Sequence, residues 1–244
     1  MRAFLVAVDY ADMLSVTLPY NLHHFEEVTV VTTKTDTEIH DICDQYEVNC
    51  YQTDAFYHGD SVFNKWRALE ECLDVLGRDG LICLMDADVL WPSILPIQLF
   101  TKDYLYTPRR RMMTDLSNFS IPPEDTWEQF PLHRQEVEFA GYSQIFFGND
   151  KHLPQPPWHE INWRHAGGAD SFFQQRWPSE YKIRPPFEVL HLGNAGENWC
   201  GRASQRIDGS YPENAKEKKN LVRRFIGSRT RDPQTRFNGE KYCD

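Results

Sequence analysis

Residues 81–92, LICLMDADVLWP, are the stretch of this 244-residue chain that most clearly indicates its fold. The first part, residues 81–85, is an apolar run too short for a typical buried helix and suited to a strand covered on both faces. Asp86 and Asp88 follow at its carboxyl end, which is where open α/β sheets bind their ligands. We therefore expect a buried strand that presents two carboxylates to a ligand site.

The two carboxylates favour a metal site. Asp86 and Asp88 repel each other, so burying both without a counter-ion is costly. A hard divalent cation, Mg²⁺ or Mn²⁺, takes oxygen ligands and also binds diphosphates, which removes this repulsion. An Asp-x-Asp pair also occurs in ordinary solvated loops, and its place after a hydrophobic strand is what favours the metal. Both residues are therefore predicted metal ligands.

The segments before this stretch alternate between strand and helix patterns. Strands are predicted at residues 4–8, 28–33 and 48–53, and apolar residues with helical spacing follow each of them. Thr35 or Asp36 is expected to cap the second helix. Strands that alternate with helices predict an α/β fold, a Rossmann-like and mostly parallel sheet with flanking helices.

The second half of the chain is less regular and predicts a mixed arrangement. Residues 104–107 are expected to form an edge strand, followed by three arginines at 109–111. Residues 112–138 are polar and interrupted by proline, which is typical of a long functional or mobile loop. Residues 139–147 and 188–192 are predicted strands.

Composition narrows the possible functions. The chain is 41% hydrophobic and 25% charged, as ordinary globular domains are. Its first apolar run is too short for a signal peptide, and no segment approaches the ~18 apolar residues of a membrane span. The six cysteines include no Cys-x-x-Cys pair. Buried reduced thiols and a cytoplasmic location are therefore expected, with a disulfide framework as the alternative. No dinucleotide or P-loop glycine motif occurs.

The charge is unevenly distributed. The net charge is −10, yet residues 216–236 contain eight basic and two acidic residues, which gives +6 there and −16 elsewhere. Such a segment is either a solvated tail or an electrostatic arm for phosphates or nucleic acid. Together with the arginines at 109–111, it raises the hypothesis of a polyanionic partner.

Two further residues are candidates for chemistry. Asp170 follows Gly167-Gly168 and precedes a helical pattern, so it is either a helix cap or a carboxylate beside a ligand that approaches the glycines closely. His191 lies in an apolar strand, where a lone histidine is usually part of the core. Beside two metal-binding aspartates it becomes a candidate third ligand.

Taken in order, Asp86-Ala87-Asp88 after a strand, Gly167-Gly168-Ala169-Asp170 before a helix and a late His191-Leu192-Gly193 resemble nucleotide-sugar glycosyltransferases of the GT-A fold. The resemblance covers roughly residues 1–202. It implies one domain over residues 1–244, divided into a nucleotide-sugar-binding half, an acceptor-side half and a basic C-terminal extension: residues 1–100, 101–202 and 203–244.

The resemblance also implies an activity and roles for individual residues. The activity is metal-dependent transfer of a hexosyl or pentosyl group from a nucleoside-diphosphate sugar, a UDP-sugar in the first instance, to an acceptor hydroxyl. Asp86, Asp88 and His191 match the metal ligands, and Asp170 matches the catalytic base. The residues implied in donor binding are Asp9, Thr32, Asp36, Lys65, Asp86 and Arg202. This chain has Ala169 where the family commonly has a second acid.

The acceptor stays open between a saccharide or protein hydroxyl and a polyanion, such as a hydroxyl-bearing modified base in DNA or a phosphorylated glycan. Two other classes are alternatives to a transferase. Phosphohydrolases of the haloacid dehalogenase type also use an Asp-x-Asp after a strand, but usually on their first strand. A carbohydrate-binding protein would use the tryptophans without the acids.

Overall fold

A computed structural model describes residues 1–117, 119–133 and 141–229. In this part of the chain ten strands form two sheets, and five α-helices pack around them. The strands are β1 Arg2–Val6, β2 Glu27–Thr32, β3 Asn49–Gln52, β4 Leu81–Asp86, β5 Val89–Leu90, β6 Leu105–Tyr106, β7 Arg109–Met113, β8 Ser143–Phe147, β9 Lys182–Ile183 and β10 Glu188–Leu192. The helices are α1 Ala11–Asn21, α2 Thr37–Gln45, α3 Lys65–Leu76, α4 Ala169–Gln174 and α5 Ala215–Arg229.

The larger sheet has the strand order β3-β2-β1-β4-β8-β6-β9. Its strands are parallel except β8, which runs antiparallel to both β4 and β6. The smaller sheet has the order β5-β10-β7. The predicted α/β class and mostly parallel sheet with flanking helices are confirmed.

Strand β4 lies at the centre of the large sheet and is covered on both faces, as its apolar run predicts. Ile82 and Leu84 pack with the side chains of α3 and α4 on one face. Cys83 and Met85 pack with those of α1 and α2 on the other face. All four are at most 3% exposed. Because side chains alternate along a strand, β4 contributes to two hydrophobic cores, one on each face of the sheet.

The second half differs from its prediction in three places. Residues 104–107 were expected at an edge, but β6 lies between β8 and β9. The arginines at 109–111 belong to β7, and a 3-10 helix, Glu124–Gln129, interrupts the expected loop of residues 112–138. Because Glu188–Leu192 supplies a parallel partner, the arginine run forms a strand despite its charge. Residues 139–140, the start of another predicted strand, lie outside the described residues.

The basic segment begins as a packed helix rather than a solvated tail. Ala215 and Val222 of α5 are buried, and Lys219 forms an ion pair with Glu197 at 3.2 Å. Residues 230–236 lie outside the described part.

None of the described helices is long and apolar enough to cross a membrane. The cysteines within the described residues are free thiols, namely Cys43, Cys50, Cys72, Cys83 and Cys200.

Candidate functional site

Three predicted ligands meet beyond the carboxyl end of β4. Asp86 ends this strand, and Asp88 lies in the turn that leads into β5. β5 pairs with β10 so that Val89 lies opposite His191, and the Leu192 N–H donates to the carbonyl of Asp88 at 2.8 Å. The ligand atoms of Asp86, Asp88 and His191 all lie within 4.8 Å of one another. Sheet pairing therefore places the distant histidine beside the two carboxylates.

The buried atoms of this cluster lack protein partners. Asp88 is 5% exposed and His191 is 4% exposed. Oδ1 of Asp88 and Nδ1 of His191 are sealed from solvent, with no hydrogen-bond partner among the described residues. His191 Nε2 lies 3.6 Å from Asp88 Oδ1, too far for a hydrogen bond. Because buried polar groups are normally paired, these atoms fit the ligands of a bound cation.

The electrostatics of the cluster favour the same donor set. Burial raises the pKa of Asp88, and the neighbouring charge of Asp86 raises it further. Burial lowers the pKa of His191 well below its ordinary value, and Arg110 lowers it further. The imidazole is therefore neutral and keeps a lone pair for a metal. A divalent cation would relieve the repulsion between the two carboxylates.

We expect His191→Ala to weaken Mn²⁺ binding by about tenfold or more, because it removes the neutral nitrogen ligand. Calorimetric titration with Mn²⁺ and a thermal melt of the same sample measure this. The matched control is His24→Ala, since His24 is also buried but lies outside the cluster. The control should lose stability and keep its Mn²⁺ affinity. If His191→Ala behaves like the control, His191 is a core residue only.

Lys65 joins the metal cluster to Asp170. Its Nζ lies 3.0 Å from Oδ1 of Asp86, at the start of α3. Burial lowers the pKa of Lys65, but the nearby carboxylates of Asp86 and Asp170 outweigh burial and raise it overall. Lys65 is therefore a fixed cation between two acidic groups of the site.

Asp170 is fixed by two backbone N–H groups. Its Oδ2 accepts from Gly141 at 2.8 Å, and its Oδ1 accepts from Ser171 at 2.9 Å. A Cβ at Gly141 would lie 2.4 Å from the Cβ of Asp170, so this approach requires glycine. Gly168, with φ of 92°, occupies the N-cap position of α4. Asp170 therefore holds the chain before β8 instead of capping the helix.

The residues expected at the nucleoside come together beyond β1 and β2. Oδ2 of Asp36 accepts from the Asp9 N–H at 2.6 Å and from Thr32 Oγ1 at 3.4 Å. Asp36 occupies the N-cap position of α2, but its side chain makes no capping hydrogen bond. Asp36 thus occupies a predicted cap position without the capping hydrogen bond, because its carboxylate accepts the Asp9 N–H from the neighbouring strand end instead.

Arg202 is already engaged by the protein. Its guanidinium forms an ion pair with both carboxylate oxygens of Asp12. It also donates to the carbonyls of Asp9 at 2.9 Å and Gln205 at 3.2 Å. The residue is 1% exposed. A role as a phosphate clamp would require this network to open, whereas the network as it stands positions the segment after β1.

We expect Arg202→Met to lower the free energy of unfolding by about 3 kcal/mol, because it leaves the Asp12 carboxylate without its buried counter-ion. Urea unfolding measures this loss. The matched control is Lys34→Met, which breaks an exposed pair with Asp54 and should change the stability far less, because solvent screens exposed ion pairs. A stable Arg202→Met that binds UDP poorly would instead support the phosphate clamp.

The structure adds Tyr10, which the sequence did not single out, and distinguishes Arg110 from the other two arginines of the run at 109–111. Tyr10 lies under the guanidinium of Arg202 at 4.5 Å, and burial followed by the charge of Asp88 raises the pKa of Tyr10. It therefore connects the metal cluster to the nucleoside residues, and its only sequence signal is its place after Asp9. Arg110 lies over the ring of Tyr142 at 4.3 Å. Because side chains alternate along a strand, Arg110 faces the opposite side of β7 from Arg109 and Arg111, and this is the only sequence feature that distinguishes it from them.

Solved structures similar to this chain share little sequence with it. Glucosyl-3-phosphoglycerate synthase from Mycobacterium tuberculosis, in complex with Mn²⁺, UDP and glucosyl-3-phosphoglycerate, is 14% identical with a TM-score of 0.48, over 95% of this chain and 80% of that chain. Mannosyl-3-phosphoglycerate synthase from Rubrobacter xylanophilus is 11% identical with a TM-score of 0.47, over 99% and 77%.

A nucleotidyltransferase is also similar. The 4-diphosphocytidyl-2C-methyl-D-erythritol synthase from Anaerococcus prevotii is 14% identical with a TM-score of 0.39, over 93% of this chain and 97% of that chain. No protein-family model and no curated protein sequence matches the chain. At these identities and TM-scores, the similarities assign neither a family nor an activity.

Proposed function

We propose that this chain is a metal-dependent glycosyltransferase that moves a hexosyl or pentosyl group from a nucleoside-diphosphate sugar to an acceptor hydroxyl. The proposed donor is a UDP-sugar. The observation that carries the proposal is the cluster of Asp86, Asp88 and His191, two of whose buried ligand atoms have no hydrogen-bond partner in the part of the chain that the structure describes. Mn²⁺ or Mg²⁺ suits this set of oxygen ligands and one neutral imidazole.

The proposed roles of the chain's own residues follow from their positions. Asp86, Asp88 and His191 would hold the cation, which would supply Lewis-acid stabilisation to the diphosphate leaving group. Lys65 keeps the Asp86 carboxylate oriented through its 3.0 Å ion pair. Asp9, Thr32 and Asp36 hold the nucleoside beyond the ends of β1 and β2. In this proposal residues 1–100 bind the donor and residues 101–202 bind the acceptor.

Asp170 is the proposed general base that takes the proton of the acceptor hydroxyl as its oxygen attacks the sugar. Each of its carboxylate oxygens accepts one backbone N–H and retains a lone pair for the acceptor. The carboxylate therefore cannot rotate away when the acceptor binds. General-base catalysis of this kind requires a carboxylate fixed within hydrogen-bonding reach of the reacting group.

A thermal-shift panel of UDP, GDP, CDP and their sugars, with and without Mn²⁺, tests the proposal. Ligand binding to the native state raises its stability by about 2.7 kcal/mol at a concentration 100 times Kd. We expect one nucleotide to raise the melting temperature when Mn²⁺ is present and to lose this effect in EDTA. If no nucleotide stabilises the protein with Mn²⁺ or Mg²⁺, the proposed function is wrong.

Turnover separates the transferase from its alternatives. A transferase consumes the stabilising nucleotide sugar only with metal and depends on an added acceptor hydroxyl. A haloacid dehalogenase-like phosphohydrolase would release inorganic phosphate from a phosphate ester and would pass through a phosphoaspartate. A carbohydrate-binding protein would bind sugar without metal and would leave the nucleotide sugar intact.

A further inference from the structure

We propose that Arg110 binds an anionic group, a phosphate or a carboxylate, on the acceptor. This inference rests on the proposed transferase function and names the chemical class of its second substrate. It is carried by the position of Arg110 in the small sheet, by the partners of its guanidinium and by the side of the site on which it lies.

The register of the small sheet directs Arg110 towards the metal cluster. Arg110 lies opposite Val189, and Met112 lies opposite His191, in the parallel pair β7–β10. Residues two apart on a strand share a face, so Arg110 and His191 lie on the same face of this sheet. The guanidinium shares this face with the metal ligand His191, and the charges of Asp86, Asp88 and Asp170 act on it.

The guanidinium has only neutral partners in the described part of the chain. It lies 4.3 Å from the ring centre of Tyr142, and its Nη2 lies 3.4 Å from Nδ1 of His133. Burial, followed by the Arg110 charge, lowers the pKa of His133 to about 4, so this ring is neutral. No described carboxylate is within ion-pairing distance of Arg110. Arginine has five N–H donors, so most of them remain available to a ligand.

Two other arginines, Arg111 and Arg202, are each held by a protein carboxylate and by backbone carbonyls. Arg111 forms an ion pair with Glu188 and donates to the carbonyls of Glu128 and Phe130 at 3.0 and 2.8 Å. Arg202 has Asp12 and two carbonyls. Arg110 differs in that none of the described carboxylates forms an ion pair with it. A cation in this state beside a reaction site is suited to an anionic ligand.

The position of Arg110 relative to β4 indicates that the anion belongs to the acceptor. Asp9 and Asp36 lie at the ends of β1 and β2, on one side of β4. Tyr142, which contacts Arg110, immediately precedes β8 on the other side of β4. The neighbouring Gly141 donates to Asp170, the proposed base. Arg110 is thus grouped with the residue that handles the acceptor hydroxyl and not with the nucleoside residues.

Calorimetric titration of inorganic phosphate into the full chain tests the inference, with and without saturating UDP and Mn²⁺. The variants are Arg110→Gln, Arg110→Lys and the control Arg223→Gln, which removes one positive charge from an exposed position on α5. UDP binding is measured on each variant first. Acetate serves as a second probe that separates a carboxylate site from a phosphate site.

We expect Arg110→Gln to weaken phosphate or acetate binding by about tenfold or more, as loss of a charge-assisted hydrogen bond does, while UDP affinity stays unchanged. Arg110→Lys should be intermediate because it keeps the charge without the planar fork. The Arg223→Gln control should match the wild type.

Two results would overturn the inference. In the first, neither anion binds the wild type, or Arg110→Gln binds both as well as the wild type does. In the second, Arg110→Gln lowers UDP affinity by about tenfold, which would assign Arg110 to the donor diphosphate. A wild type that binds no nucleotide overturns the proposed function instead, and Arg110-dependent phosphate binding in that sample would still support an anion site.

Discussion

We expect Asp88→Asn to weaken Mn²⁺ binding by about 100-fold or more and to reduce sugar transfer by at least as much, because it removes an anionic ligand from a hard cation. Losing a residue that merely orients a ligand commonly costs about 10–100-fold, so the loss of an anionic ligand should reach at least the upper end of that range. Asp88 is buried, and its Oδ1 has no hydrogen-bond partner among the described residues, so this oxygen is available to a cation. Mn²⁺ titration measures affinity without requiring activity.

The substitution should affect folding far less than metal binding. The asparagine amide is neutral, and burial together with Asp86 disfavours the Asp88 carboxylate in the absence of a cation. We therefore expect the metal-free Asp88→Asn protein to melt at or above the wild-type temperature. The matched control is Asp41→Asn, an exposed position on α2, which should change neither property. Wild-type Mn²⁺ affinity and transfer in Asp88→Asn would remove the basis of the metal site.

The centre of this site was predictable because its signals are local. A short apolar run covered on both faces specifies β4, and the next residues, Asp86 and Asp88, must lie at the carboxyl edge of a parallel sheet. The alternation of strand and helix patterns likewise predicted a mostly parallel sheet, in which the structure has the order β3-β2-β1-β4. Burial of a strand on two faces restricts its side chains so strongly that a few residues are informative.

Other parts depended on long-range partners that the sequence does not display. Arg110 and Arg111 are both arginines, yet Arg111 pairs with Glu188 whereas Arg110 faces the metal cluster. The register of β7 against β10 determines which side of the sheet each of them faces. Arg202 was expected at the phosphates but meets Asp12, far away in sequence. Asp36 was expected to cap α2 but accepts from Asp9. In each case tertiary pairing selected one of several partners that local pattern allowed.

The proximity of His191 to Asp88 had a different origin. An isolated histidine in an apolar strand gives no sign of its role, and only the predicted metal-binding aspartates and the resemblance to a family suggested that it is a ligand. The pairing of β5 with β10 provides the physical reason, since it aligns Val89 with His191. That pairing is antiparallel and involves only two residues of β5, so no sequence pattern predicts it.

The Asp170→Asn variant should bind the nucleotide normally and transfer sugar about 10² times more slowly or worse, because it removes the proposed base and leaves the donor site intact. The amide oxygen can still accept one N–H, from Gly141 or Ser171, so the side chain keeps part of its position. A base acts in the chemical step, which predicts a lower kcat with unchanged Mn²⁺ and UDP affinities. Steady-state kinetics with saturating donor, combined with UDP titration, measure both.

Asp150→Asn separates this role from a structural one. Asp150 also accepts two N–H groups, from His152 at 2.8 Å and from the indole of Trp177 at 3.0 Å, and it lies outside the metal cluster. This control should lower the melting temperature and leave kcat unchanged. If Asp170→Asn also melts lower but turns over at the wild-type rate, its two N–H contacts are its whole function and the base lies elsewhere. A low kcat at wild-type stability is the result that general-base catalysis requires.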